Sequence, residues 1–374
     1  MKYNLSLLLV SLIVMLSAVG CRNNTESDTA LHTDTLILHA RLLKVERCEG
    51  FTRVTIADPW NEGRVLHRYV LVPREAALPE GLPEGTVVRT PINRALVYSS
   101  VHSSVMRELG CFDAIKGVVD AQYFTEPEVA QALAAGQLTD CGSSMSPTLE
   151  RVIQMQPDAI LLSPYQDAAY GQITQLDVPL IECADYMEYT PLGRAEWIKF
   201  YGALLGREAQ ADSIFAEVEK AYELIRQRAA KVGKKPMVLT ETVISGIWNV
   251  PGGQSYMARI LQDAGAVYPW ADDKSTGSLN LDFNQVLARA RQADVWLIKS
   301  FFIHSLEDLR GAYRLNDQFR AFQQRQVYVC DTNTSRLFEQ FPFHPERLLA
   351  DYFAIFHPDL AGDYRPVFFH RLDK

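Results

Sequence analysis

The run LGRAEWIKFYGALLGREAQADSIFAEVEKAYELIRQRAAKV, from Leu192 to Val232, contains no proline, and from Ala211 its apolar residues Ile214, Val218, Tyr222, Ile225 and Ala229 recur at spacings of three and four. That period is the signature of a long amphipathic helix. Gly202 and Gly206 weaken its first part by ~1 kcal/mol each relative to alanine, so a bend belongs there. At ~1.5 Å per residue, forty helical residues extend ~60 Å, enough to run along two lobes.

On either side of this run the pattern is that of strands separated by helices. Before it come Ala95 to Tyr98, Ile115 to Val119, Ala159 to Leu162 and Pro179 to Ile181, with helices near Ser103 to Leu109 and Pro147 to Met155. After it come Met237 to Leu239, Val295 to Ile298 and Val327 to Val329. Continuous apolar runs alternating with helices predict parallel, doubly wound sheets covered on both faces. The stretch LERVIQMQPDAILLS from Leu149 parallels FNQVLARARQADVWLIK from Phe283, each a helix followed by Asp and an apolar strand. The expected fold class is therefore α/β, two Rossmann-like lobes bridged by one long α-helix.

Upstream, Leu36 to Val72 alternates apolar and polar residues in short runs, TRVTIADP and HRYVLVPR, with Asp58, Pro59, Asn61 and Gly63 between them. This is a hairpin signal, and the PEGLPEG stretch from Pro79 to Gly85 marks a break after it. The expected domain boundaries are 36–93 for a β-rich N-terminal extension, 94–191 for the first lobe, 192–233 for the bridging helix and 234–374 for the second lobe.

The chain opens with Lys2, an apolar run from Leu5 to Val19 and small residues before Cys21, an export signal over residues 1–20. The run's fifteen residues fall short of the ~20 that a transmembrane helix needs. The string LSAVGC resembles a bacterial lipobox, with Ala18 where leucine is usual; the resemblance implies cleavage before Cys21, lipidation of that cysteine, and a membrane-anchored, periplasmic protein. An ordinary secretory signal cut near Gly20 is the alternative. Arg22 to Thr35 is polar and without apolar period, so residues 21–35 read as a flexible tether.

Composition narrows the function. The 374 residues carry 45 acidic and 37 basic side chains, a formal charge of -8, and removal of the signal takes away Lys2 and leaves -9. Such a balance argues against a nucleic-acid partner, which needs a basic face. The five cysteines beyond Cys21, namely Cys48, Cys111, Cys141, Cys183 and Cys330, contain no C-x-x-C spacing for zinc. They read either as buried small side chains or as up to two disulfides, with Cys141 and Cys183 as possible neighbours. There is no H-E-x-x-H, no G-x-S-x-G elbow and no phosphate-binding loop of the G-x-x-x-x-G-K-[ST] type. Metal, cofactor and catalytic residues are accordingly expected to be none.

Five stretches in this order, SSVHSSVMRELG at Ser99, SPTLERVIQMQPDAILLS at Ser146, PLGRAEWIKFYGALLG at Pro191, WNVPGGQS at Trp248 and HPERLLADYFAIFHP at His344, resemble the substrate-binding proteins of ABC importers for iron-siderophore, haem and cobalamin. The resemblance covers about Arg94 to Leu360. It implies a receptor that captures a metal chelate or corrinoid and delivers it to an ABC permease and its ATPase. It also implies a permease-docking carboxylate on each lobe. Glu150 fits the first position; the second holds Asn284, with Asp282 two residues earlier.

A ligand cleft is expected between the C-terminal ends of the two sheets, where parallel strands deliver their loops. The candidates are His102, Tyr123, Tyr165 and Tyr186 in the first lobe, and Trp248, Trp270, Phe301, His304, Arg336 and Phe338 in the second. Aromatic rings suit a large, flat, partly apolar chelate, and Arg336 suits an anionic group on it. Each has a plainer reading: Trp248 and Trp270 as plugs of the second lobe, the tyrosines as packed rings with bonded hydroxyls, His102 as a structural residue at a helix start. The stiff bridge predicts modest closure on binding. Two other classes stay open, a tetrapyrrole-remodelling enzyme on the same scaffold and an interaction lipoprotein without a ligand.

Overall fold

A computed structural model describes residues 37–372. The signal over residues 1–20, Cys21 and the tether over 21–35 lie outside them. The first lobe is a five-stranded parallel sheet in the order Leu180–Glu182, Ala159–Leu162, Ala95–Val97, Ile115–Val118, Thr139–Asp140. The chain thus winds outward in both directions from Ala95–Val97, and the gap between this strand and Ala159–Leu162 is the switch point that leaves a crevice at the C-terminal edge. Ala95 to Val97 and Ala159 to Leu162 are buried on both faces, the reason these runs read as continuously apolar.

The second lobe has three parallel strands, Val238–Thr240, Val295–Lys299 and Val327–Cys330, with His370–Arg371 added antiparallel at the edge. Beside them lies a small antiparallel sheet of Val243–Ile244, Ile247–Pro251 and Ser278–Leu281. The two stretches compared in the sequence form equivalent units: helix Leu149–Met155 leads into Ala159–Leu162, and helix Phe283–Ala290 into Val295–Lys299. The expected α/β class with two lobes is the one observed.

The bridging run is divided more than its period suggested. Helices Pro191–Glu196 and Ile198–Leu205 precede the long helix Glu208–Ala229, whose 22 residues extend ~33 Å rather than ~60 Å. Gly206 is the cause, ending the second segment with φ 64°, the left-handed conformation that favours glycine. Gly202 lets the next helix close in: a Cβ there would stand 2.7 Å from the Ala211 methyl.

Residues 43–90 form a four-stranded sheet, with Leu43–Cys48, Phe51–Ala57 and Val65–Pro73 antiparallel and Thr86–Thr90 parallel to the third. It is joined to the first lobe through its edge strand. The Tyr69 hydroxyl donates to the Leu180 carbonyl at 2.8 Å and accepts from the Glu182 amide at 2.9 Å, so an otherwise open sheet edge is covered. Val54, Ile56 and Tyr69 belong to one apolar cluster with Trp197, Phe200 and the interiors of both lobes. All five described cysteines are free, and Cys141, Cys183 and Cys330 are buried, which settles them as packed side chains rather than disulfides. No described helix is long and apolar enough to cross a membrane.

Candidate functional site

A cavity of about 700 Å³ opens between the lobes. From the first lobe it is bounded by Val101, in the first turn of the helix Ser100–Glu108 that follows strand Ala95–Val97, and by Tyr186, Met187 and Glu188, which follow strand Leu180–Glu182. From the second lobe come Glu241 and Thr242, just past Val238–Thr240, and Lys299, which ends Val295–Lys299. Strand ends therefore place the lining on both sides, as the doubly wound topology requires.

Two helix starts add the most structured part of the wall. Thr190 caps helix Pro191–Glu196, its Oγ1 accepting from the Gly193 amide at 3.0 Å, and this sets Arg194 at the cavity. Ser255 caps helix Tyr256–Asp263, its Oγ accepting from the Ala258 amide at 3.1 Å, so that Tyr256 and Met257 in the first turn face the same space. Arg194 Nε donates to Asp185 Oδ2 at 3.0 Å, and Nη1 donates to the Tyr256 hydroxyl at 3.0 Å, with the guanidinium 5.2 Å from the Tyr256 ring centre. Burial disfavours the charge on Arg194, but Tyr256 and Asp185 outweigh it and hold its pKa above the ordinary value. Across the cavity Lys299 Nζ donates to Glu241.

Glu188 is fixed from behind. Its carboxylate accepts the amides of Arg41 and Leu42 at 3.0 and 2.9 Å and the Trp197 indole N–H at 2.9 Å. Burial raises its pKa against these bonds. The remaining wall is apolar or neutral, including Ile244, Pro251, Leu337, Phe338 and Phe341, with Asn249, Thr276 and Ser278 as polar groups.

Of the ten residues expected to bind, Tyr186 and Phe338 line this cavity. Three others are interior. His102 has no exposed surface and packs 6.2 Å from the Tyr201 ring, where burial lowers its pKa to about 4. Trp248 lies on a strand, not past one; on Ile247–Pro251 the buried positions are Trp248, Val250 and Pro251, so alternation turns the indole inward, stacked 5.7 Å from Trp296 with its N–H on the Thr240 carbonyl at 2.9 Å. Trp270 is 3% exposed against Tyr268 and borders a separate cavity on the second lobe. Neither tryptophan lines the cavity between the lobes, and both are packed within the second lobe.

The others are accessible but outside the cavity wall. Tyr123 and Phe301 are exposed, and Tyr165 stands edge-on to Tyr170 at 6.1 Å. His304 is exposed, its backbone amide donating to Asp308 Oδ2 at 3.0 Å. Arg336, expected to offset an anionic ligand, instead faces Glu128 at 3.8 Å across the lobes. Sequence reasoning missed Arg194, Glu241, Tyr256 and Lys299. Glu241 and Lys299 obey the same strand-end rule that selected the aromatics, and a search that weighed charge as well as ring area would have included them.

On the outer surface, Glu150 and Asn284 are exposed in the first turns of helices Leu149–Met155 and Phe283–Ala290. Asp282 is the cap of the second helix, its Oδ1 accepting from the Gln285 amide at 3.0 Å while Gln285 Oε1 accepts from the Asp282 amide at 2.9 Å.

Residues 98–334 match the family model described as periplasmic binding protein. The chain belongs to the periplasmic binding protein family. Two relatives are uncharacterized lipoproteins of Methanocaldococcus jannaschii, each 25% identical, one over 76% of this chain and 69% of its own length, the other over 96% and 95%. Among solved structures, a periplasmic heme binding protein from Pseudomonas aeruginosa is similar with TM-score 0.58 and 19% identity, covering 76% of this chain and 99% of that one. A TroA-like periplasmic binding protein from Veillonella parvula gives TM-score 0.58 and 16% identity over 76% and 96%. These likenesses establish the fold of the binding protein. The four-stranded sheet of residues 43–90 lies outside the family match.

Proposed function

We propose that this binding protein is an extracytoplasmic, lipid-anchored receptor that captures an iron chelate, siderophore or haem, or a corrinoid, and delivers it to a membrane ABC permease with its ATPase. The observation that carries the reading is the cavity itself: about 700 Å³, walled by strand-end residues of both lobes and furnished with the rings of Tyr186, Tyr256, Phe338 and Phe341. A ligand held there touches both lobes at once, which couples occupancy to their relative position. The lipobox-like sequence at Cys21 and the naming of both archaeal relatives as lipoproteins support the anchor. Glu150 and Asn284, exposed on equivalent helix starts, are the proposed docking positions, and Asp282 is already engaged as a cap.

The test is a titration of the purified protein with haemin, ferric siderophores and cyanocobalamin, followed by visible absorption and tryptophan fluorescence. One chelate is expected to saturate at one per protein without product. Aromatic stacking contributes ~0.5–1.5 kcal/mol per ring, so Tyr256→Ala combined with Phe338→Ala should weaken that chelate roughly tenfold or more. No response to any chelate would contradict the receptor reading.

A further inference from the structure

Each cation on the cavity wall is already paired with a carboxylate. Its only two cations among the described residues are Arg194 and Lys299, and each already holds a carboxylate: Arg194 the buried Asp185 at 3.0 Å, Lys299 the neighbouring Glu241. The other acid on the wall, Glu188, is held by the Arg41 and Leu42 amides and the Trp197 indole. The cation expected from the sequence to meet an anionic ligand, Arg336, is turned to Glu128 outside the cavity. A polyanion entering this space would meet no uncommitted positive charge, and it would have to displace Asp185 or Glu241 to obtain one. Burying it without such a partner is strongly unfavourable, because the charge loses its hydration without compensation. The same wall carries uncharged polar side chains that suit a neutral group, Asn249, Thr276 and Ser278, together with the Tyr256 ring.

We infer that the ligand is a metal chelate of near-zero net charge whose periphery carries amide or hydroxamate carbonyls, rather than a ferric tris-catecholate, a trianion, or haem with its two carboxylates. The inference rests on the receptor reading above and narrows its ligand class. Two sources share this chemistry, ferric trihydroxamates and amide-bearing corrinoids, and both enter the test.

Ferric trihydroxamate, cyanocobalamin, ferric tris-catecholate and haemin are titrated separately into the wild-type protein at low and high salt. A neutral chelate is expected to bind at least tenfold tighter than either anionic one, with affinity changing less than twofold between the two salt concentrations. Tightest binding of an anionic chelate, or a steep loss of affinity with salt, overturns the charge inference and leaves the receptor reading standing. If none of the four binds, both fall. Glu241→Gln releases Lys299 near the cavity, and the ratio of anionic to neutral affinity should rise about tenfold; an unchanged ratio counts against the inference. The wild-type salt dependence decides the matter even where the variant folds poorly.

Discussion

Glu196 shows how much a single buried carboxylate holds in this molecule. Its side chain has no exposed surface, and it accepts the backbone amides of Leu38, His39 and Ala40 at 2.6–3.0 Å together with Lys199 Nζ at 3.1 Å. Asp351 does the same at the other end of the chain, accepting the Val367 and Phe368 amides and the Tyr364 hydroxyl. Hydrogen bonds to a charged group contribute ~1.5–3 kcal/mol each, and an amide in place of the carboxylate turns a donor toward donors. Glu196→Gln should therefore lower stability by about 2–4 kcal/mol. In chemical denaturation this appears as a lower midpoint at unchanged slope, with faster amide exchange at Leu38 to Ala40; a midpoint equal to wild type would refute the assignment. The bonds from Leu38, His39 and Ala40 to Glu196 were not legible in the sequence, because these partners lie more than 150 residues away. Ring content misled in the same way: Trp248 and His102 are where the alternation of a strand and the inner face of a helix put them, and both point inward.

At the scale of elements, strands were the most readable because both faces of a parallel sheet are buried and leave unbroken apolar runs. The bridging run was readable in its amphipathic half, Glu208–Ala229, and misjudged in its first half, where the left-handed Gly206 stops one helix. Contacts between elements follow a different logic. His344, at the start of helix Pro345–Phe356, places Nε2 2.6 Å from Glu108 at the end of helix Ser100–Glu108, and Nδ1 2.9 Å from Glu346. Arg347 also faces Glu346, at 3.6 Å. Burial disfavours the imidazolium, but the two carboxylates outweigh it and raise the pKa to about 9. A histidine whose folded pKa exceeds its unfolded value stabilises fully below the latter and less as pH rises through the former. Stability should thus decline between about pH 6.5 and about pH 9. His344→Gln should flatten that decline in denaturation curves taken across the range; a decline of the same size in the variant would show that other groups cause it.

Over the whole molecule, the two lobes are fastened by more than the bridge. Thr125 Oγ1 donates to Glu339 at 2.8 Å, Arg336 faces Glu128, and His344 meets Glu108, each pairing a first-lobe residue with a second-lobe one. Such a clasp, with a helical bridge behind it, favours small closure over wide hinge motion. The α/β class and the two lobes were legible from the order of strands and helices. The site was legible only as a place, the strand ends, because which strand-end side chains face the cavity depends on loops and caps such as Thr190 and Ser255. The direct test is a crystal structure of the protein with its tightest-binding chelate. We predict the chelate between the lobes, in contact with Tyr186 or Met187 on one side and with Tyr256 or Phe341 on the other; a chelate seated on one lobe alone, as in the cavity beside Trp270, would contradict the account.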